Sequence, residues 1–176
     1  MIVILGNGGH AKVCGEVVYC QHPNEDVFYE EFDINTGIRP DMRARYVIGV
    51  GDLTLRRELF TRFSRVGMGM IGIRHPSAVL PTFQRYIDFC ANRCIQIMAG
   101  AIIQPGCKIG VNVIINTGAQ IDHDCVIGSH SHIAPGAILC GGVTVGKGAF
   151  IGAGAVIPEG RKIPDNAFVP AGTVFK

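Results

Sequence analysis

The chain has 176 residues, 48% of them hydrophobic and 17% charged, with 24 glycines and no tryptophan. That apolar share supports a packed core and excludes a disordered chain, and a formal charge of +2 gives no electrostatic reason to expect nucleic acid as a partner. No apolar run approaches the roughly 18 residues of a membrane span, so no membrane partner is expected; seven cysteines without a CxxC pair read as small buried hydrophobes of a reducing compartment.

Met1–Leu5 is a short apolar run bounded by glycine, the pattern of a buried strand. It has no basic leader, so it is not expected to be a signal peptide, which leaves the cytoplasm as the expected location. Gly6-Asn7-Gly8-Gly9-His10-Ala11 comes next, in the G-x-G-x-x-A order of a turn that brings backbone N–H groups and a helix N-terminus up to a phosphate. A helix is predicted over Lys12–Gln21, and strands over Val27–Phe32 and Tyr46–Val50. The acidic pair Glu30-Glu31 closes the second strand, where ribose or base contacts of a bound nucleotide fall. Leu55, Leu59, Phe60 and Phe63 recur at helical spacing, so Leu53–Val66 is predicted as a helix with Asp52 as its N-cap. Met68–Ile73 reads as a fourth strand. Residues 1–75 therefore read as a small Rossmann-like α/β unit of βαβ type with a parallel sheet. Being about half a full dinucleotide fold, it suits a mononucleotide better. Residues 76–96 link it to the second half of the chain, through a turn at His75-Pro76-Ser77-Ala78 and an irregular first coil over Tyr86–Cys94.

From Ile97 the chain repeats. Every sixth residue from Ile97 to Val169 is Ile, Leu or Val, thirteen positions without exception. If about a quarter of residues are of these types, chance produces such a run on the order of once in ten million trials or less. A period of six is neither helical nor a simple alternation. It suits short strands joined by tight turns, three hexads closing one triangular coil with the aliphatics stacked inside. Four residues past each aliphatic the residue is usually small (Ala101, Cys107, Ala119, Cys125, Ser131, Ala137), and three past it glycine recurs, with Asn112 and Asn166 in its place. Glycine and asparagine tolerate positive φ, so that position is the turn. Residues 97–176 thus read as an all-β parallel β-helix. Hexapeptide coils of this kind are known as left-handed, although spacing alone does not set the hand. Flat sides poor in charge imply a partner, the simplest being a symmetric homotrimer.

His123 and Asp124 fall at turn positions, within Asn116-Thr117-Gly118-Ala119-Gln120-Ile121-Asp122-His123-Asp124-Cys125. Turn residues point outward, and at a bend two neighbours that would face opposite ways on a strand can meet. A histidine beside carboxylates is suited to general base work, because a nearby anion raises its basicity. His130-x-His132 invites a zinc reading, but no cysteine or carboxylate completes a ligand set, so no metal is expected.

The whole chain resembles the sialic acid O-acetyltransferase / nucleotide-amino-sugar N-acetyltransferase family of left-handed β-helix acyltransferases. The resemblance is carried by Gly6-Asn7-Gly8-Gly9-His10-Ala11-Lys12-Val13, Ile48-Gly49-Val50-Gly51-Asp52 with Arg56-Arg57, His75-Pro76-Ser77-Ala78, and Asn116-Thr117 with Ile121-Asp122-His123-Asp124-Cys125-Val126-Ile127-Gly128. It implies a cytoplasmic acetyltransferase that uses acetyl-CoA as co-substrate and forms a homotrimer with active sites between subunits. It implies that Gly8, Gly9, His10, Glu30, Glu31 and Gly51 hold the nucleotide of a sugar nucleotide. His123 takes the place of the general base and Asp124 that of its carboxylate, and His132 and Gly141 match contacts to the acetyl donor. Family members often carry Glu after the base, where this chain has the shorter Asp124. The Val169-Pro170-Ala171-Gly172-Thr173 end lacks the family's usual Gly-x-Pro-Ala. The expected reaction is N-acetylation of a nucleotide-linked 4-amino-4,6-dideoxy sugar by direct transfer, since a glycine-rich phosphate loop would serve no purpose for a free sugar. The alternatives are O-acetylation of sialic acid or another sugar, and a zinc enzyme like the gamma-class carbonic anhydrases, which share the coil. The sugar, the base and the pathway, whether toward a surface polysaccharide or a glycoprotein glycan, stay open.

Overall fold

The structure, a computed structural model, describes residues 1–31, 41–81 and 93–176. The first unit is a four-stranded parallel sheet made of β1 (Ile2–Leu5), β2 (Val27–Glu30), β3 (Arg45–Ile48) and β4 (Gly69–Met70), in the order β2-β1-β3-β4. The central strand is buried on both sides because its side chains alternate. Ile2 and Ile4 pack with Ala11, Cys14, Val17 and Val18 of α1 (Gly9–Gln21). Val3 and Leu5 pack with Leu59 and Phe63 of α2 (Leu53–Arg65) on the opposite face. Asp52 caps α2 as predicted, its carboxylate accepting from the Leu55 N–H at 2.8 Å.

Several boundaries move. Helix α1 begins at Gly9, three residues before the predicted Lys12, because Gly8 serves as its N-cap. The second strand ends at Glu30, and Phe32 lies outside the described residues. The predicted strand Met68–Ile73 divides in two. Gly69–Met70 pairs with Arg45–Tyr46, whereas β5 (Ile73–Arg74) pairs with Gln96–Ile97 of the repeat. The chain has already left the first sheet at Ile73, whose buried side chain still packs beneath that sheet together with Met98 of the repeat. The region 82–92, with most of the expected irregular coil, lies outside the described residues.

The described residues then carry thirteen two-residue strands six residues apart, from Gln96–Ile97 to Phe168–Val169. Each strand pairs in parallel with those 18 residues away, as Gln120–Ile121 does with Ile102–Ile103 and with Ile138–Leu139. Three flat faces result. The first has six strands: Ile73–Arg74, Gln96–Ile97, Ile114–Ile115, His132–Ile133, Phe150–Ile151 and Phe168–Val169. The second (from Ile102–Ile103) and third (from Lys108–Ile109) have four each. All thirteen hexad aliphatics are at most 2% exposed and form one core column with the small residues Ala101, Cys107, Ala119, Cys125, Ala137, Ala149 and Ala155. Burying each large aliphatic is worth about 1.5–3 kcal/mol relative to exposure.

Every sixth residue from Cys94 to Gly172 has φ between +53° and +82°. Nine of those turn positions are glycine, but Cys94, Asn112, Asp124, His130 and Asn166 adopt the same left-handed backbone. Asp, Asn and His are the side-chain-bearing residues most often found there, Asp and Asn through local hydrogen bonding; for cysteine it is uncommon. Among the described residues, no helix is long and apolar enough to cross a membrane.

Candidate active site

The corner between the second and third faces presents His123 and Asp124. The left-handed conformation of Asp124 (φ +59°) turns its carboxylate back along the chain, and Oδ2 lies 2.9 Å from His123 Nδ1. The shorter acid therefore makes the contact that the sequence left open. Two glycines, one coil away on either side, leave room for the pair. A Cβ on Gly106 would stand 2.2 Å from Asp124 Oδ1, and a Cβ on Gly141 would stand 2.8 Å from both Cε1 and Nε2 of His123. The imidazole thus lies across the Gly141 backbone. Its Nδ1 is taken by the carboxylate, so in the neutral ring that nitrogen carries the proton and Nε2 is left as a base. The Asp124 hydrogen bond, then the Asp122 and Glu159 charges, push the His123 pKa above the ordinary imidazole value. The His123 side chain is 58% exposed. A groove of about 200 Å³ opens beside it on the second face, lined by Gln104, Gln120, Asp122, Ile138 and Cys140 among others.

Gly141→Ala is accordingly expected to leave the melting temperature nearly unchanged, because the obstructed group is an exposed ring that can rotate away. It is expected to lower kcat/KM by about tenfold or more, since displacing a reacting group by an ångström commonly costs that much. Side-by-side kinetics and thermal melts of the variant check this.

The second concavity lies at the carboxyl ends of β1 and β3. A cavity of about 420 Å³ is lined by Gly6, Asn7, Gly8, Gly9, His10, Glu31, Gly49, Val50, Gly51, Leu55 and Leu59. Gly6 makes the turn with φ +121°, and a Cβ there would meet the Gly49 carbonyl oxygen at 3.0 Å. Around Gly8 and Gly9 a Cβ would meet nothing within 4 Å, so the first turn of α1 opens onto free space. Its unbonded N–H groups and the positive end of the helix dipole suit an anion. Asn7 donates to the Glu31 carboxylate, which holds that side chain at the cavity wall. Glu30 is not among the lining residues; its carbonyl accepts from the Gly6 N–H at 2.9 Å.

Between this cavity and the first face of the coil lies a buried polar cluster that no spacing rule announces. Arg56 of α2 is 0% exposed and reaches the coil corner. Its guanidinium donates to the carbonyls of His130 (2.9 Å), Ser131 (3.2 Å) and Gly51 (3.3 Å). Burial lowers its pKa to about 10, which leaves it charged at neutral pH. His132 is 6% exposed, with Nε2 at 3.1 Å from the Asn116 amide nitrogen and its ring edge-on to Phe150. Burial, and then the Arg56 charge, push the His132 pKa down to about 3, so the ring is neutral. Gln96 reaches out of the coil to the His10 ring of the N-terminal unit. His130 meets Asn112 through Nδ1 at 3.0 Å and Phe60 through its ring. Among the described residues, no group of three or more His, Cys, Asp or Glu is placed to hold a metal ion.

The structure thus gathers the expected residues into two places. His123, Asp124 and Gly141 meet at one corner; Gly8, Gly9, His10, Glu31 and Gly51 meet around the glycine turn. His132 lies on the first face beneath the N-terminal unit, across the prism from His123, and borders the second group, its ring centroid 6.5 Å from that of His10. Arg56, Gln96 and Asn116 were not singled out by chemistry in the sequence, although Arg56 and Asn116 stood in two of the resembling stretches.

Residues 124–159 match the bacterial transferase hexapeptide (six repeats) family. No curated protein sequence matches the chain. Among solved structures, the chain is similar to PerB from Caulobacter crescentus, determined in complex with CoA and GDP-perosamine. The identity is 32%, the match covers 99% of this chain and 88% of that one, and the TM-score is 0.83. The acetyltransferase domain of PglB from Neisseria gonorrhoeae FA1090 shares the fold at 24% identity, covering 99% and 90% of the two chains with a TM-score of 0.84. WeeI from Acinetobacter baumannii AYE does so at 20% identity, covering 100% and 96%, with a TM-score of 0.57. The parallel faces and hexapeptide repeats fit a left-handed β-helix acetyltransferase. A repeat unbroken through thirteen hexads, joined to a parallel sheet and a glycine turn and matched over 99% of this chain to a relative 32% identical, places this chain in the hexapeptide-repeat acyltransferase family of the sialic acid O-acetyltransferases and nucleotide-amino-sugar N-acetyltransferases.

Proposed function

We propose that this acyltransferase moves the acetyl group of acetyl-CoA onto the amine of a nucleotide-linked 4-amino-4,6-dideoxy sugar, by direct transfer with His123 as general base. The observation that carries the reading is the His123–Asp124 pair, bonded at 2.9 Å with Nε2 open above Gly141. The similar PerB structure, which holds CoA and GDP-perosamine, supports the substrate class.

The N-terminal unit, residues 1–75, acts as a Rossmann-like nucleotide holder. Loop N–H groups at Gly8 and Gly9 and the dipole of α1 take the diphosphate, while Gly51, His10 and Glu31, just past the Glu30 end of β2, surround the nucleoside. The coil of residues 97–176 carries the transfer. As the amine nitrogen attacks the thioester carbonyl carbon, His123 Nε2 accepts its proton, and Asp124 stabilises the resulting imidazolium. The Gly141 N–H, which donates to no carbonyl among the described residues, stabilises the oxyanion. Collapse of the tetrahedral intermediate breaks the C–S bond, and the thiolate takes the proton back from the imidazolium, giving the amide and CoA. His132, beside Phe150 on the first face, contributes to the acetyl donor's site.

The cavity and His123 lie on opposite sides of one chain's prism, so one copy cannot bring its own nucleotide to its own base. A homotrimer resolves this by facing one protomer's cavity toward the next protomer's His123. A thiol-release assay with acetyl-CoA, run against nucleotide-linked amino sugars and free sialic acids, tests the reading. Turnover only with the nucleotide-linked amines is expected; turnover only with free sugars overturns it.

A further inference from the structure

Behind His10, which lines the glycine-turn cavity, sits a side chain from the other unit. Gln96, on the first face of the coil and 1% exposed, lies directly beneath His10. Its amide nitrogen donates to the Ile48 carbonyl at 2.6 Å, at the end of β3. A carbonyl oxygen only accepts, so this contact fixes which end of the amide faces which way. The Gln96 Oε1 end therefore faces His10 and accepts from both sides: His10 Nε2 lies at 2.7 Å and the Cys14 thiol at 3.6 Å. Since Oε1 has no proton to give, Nε2 of His10 carries the hydrogen. Burial, helped by the nearby Arg56 charge, lowers the His10 pKa, so the ring is neutral and holds only that one N–H. The hydrogen bond to Gln96 works the other way, raising it, but burial is the larger influence and the net direction is down. The other charged or titratable groups around it are the buried Cys14 thiol and the His132 ring, whose centroid is 6.5 Å away.

We infer that Gln96, a residue of the coil, sets the hydrogen-bond polarity of the nucleotide cavity: it locks His10 in the Nε2–H form, so that Nδ1 meets the ligand as an acceptor. An acceptor lone pair repels phosphate oxygens and selects a hydroxyl or N–H of the ligand. The diphosphate is then left to the amides at Gly8 and Gly9, and His10 orients the ligand by a donor next to it. Gln96 is a positioning residue, acting through His10 from 86 residues away. The inference rests on the nucleotide reading of the cavity only for the choice of probe.

Two measurements test it. In protein labelled with 15N-histidine, two-bond 1H–15N spectra of the wild type, assigned by comparison with His10→Gln, are expected to show a neutral Nε2–H ring for His10. A neutral Nδ1–H ring, or an imidazolium at neutral pH, overturns the inference. Gln96→Glu then places a carboxylate against Nε2 and charges the ring, turning Nδ1 into a donor. Calorimetric affinity for inorganic pyrophosphate is expected to rise by about tenfold relative to uridine in that variant, the worth of one charge-assisted hydrogen bond. An unchanged ratio, with the spectrum showing a charged His10, overturns it equally. A wild type with the expected tautomer that turns over no sugar nucleotide would instead sink the proposed function alone.

Discussion

Replacing His123 by alanine is expected to lower kcat/KM for acetyl transfer by roughly 10² or more, the usual scale for a lost general base. The ring is 58% exposed at a turn, so its removal leaves the core untouched and the melting temperature is expected to stay within a degree or two. No other imidazole can replace it. His132 is buried with its pKa pushed down to about 3, and His130, also lowered by burial, is engaged with Asn112 on a different corner. Near wild-type turnover in the alanine variant would remove His123 from the role. The pH profile gives an independent check. The base works as the neutral ring, and the carboxylates beside it favour the charged ring, so the acidic limb of kcat/KM is expected to lie above the ordinary imidazole value. Asp124→Asn removes the largest of these influences, and the limb is expected to move to lower pH, only partly because the Asp122 and Glu159 charges remain. An unmoved limb would dissociate the carboxylate from the base.

Arg56→Met is expected to destabilise the protein by about 2 kcal/mol or more, because the part-buried carbonyls of His130 and Gly51 lose a donor at a cost of about 1–3 kcal/mol each, while the Ser131 carbonyl keeps the Ile114 N–H at 3.1 Å. Methionine fills much of the volume, so the loss reports the hydrogen bonds rather than a cavity. Two of those carbonyls belong to the coil corner at His130 and Ser131, and the third to Gly51 at the nucleotide cavity. The substitution therefore loosens the docking of the two units as well as the cavity rim. Arg56→Lys is expected to recover little, since one ammonium cannot reproduce the planar fork. Urea denaturation of the three proteins measures this, and a loss below about 1 kcal/mol for the methionine variant would show that the carbonyls find other donors or water.

The boundary errors share one cause. The helix start at Gly9 and the split of Met68–Ile73 depend on which partner each backbone group finds, not on side-chain pattern. The turn column was legible where it held glycine or asparagine. It was less so at Cys94, Asp124 and His130, where a residue other than glycine or asparagine interrupts the column and the stacking of coils holds the left-handed backbone. For Asp124 that imposed conformation is what brings the carboxylate to His123.

By itself the amino-acid order determined the coil, its inward aliphatics, the glycine turn before α1 and the exposed His-Asp corner. Each of these comes from spacing within a few residues, and repetition multiplies a weak local preference into an unmistakable period. Only the tertiary structure decided which face of the prism carries the N-terminal unit, and with it the buried contacts of Arg56 with residues 130 and 131 and of His10 with Gln96. Those contacts join residues 74 to 86 positions apart, and they exist because buried polar groups must find partners wherever packing places them, a requirement that leaves no periodic trace along the chain.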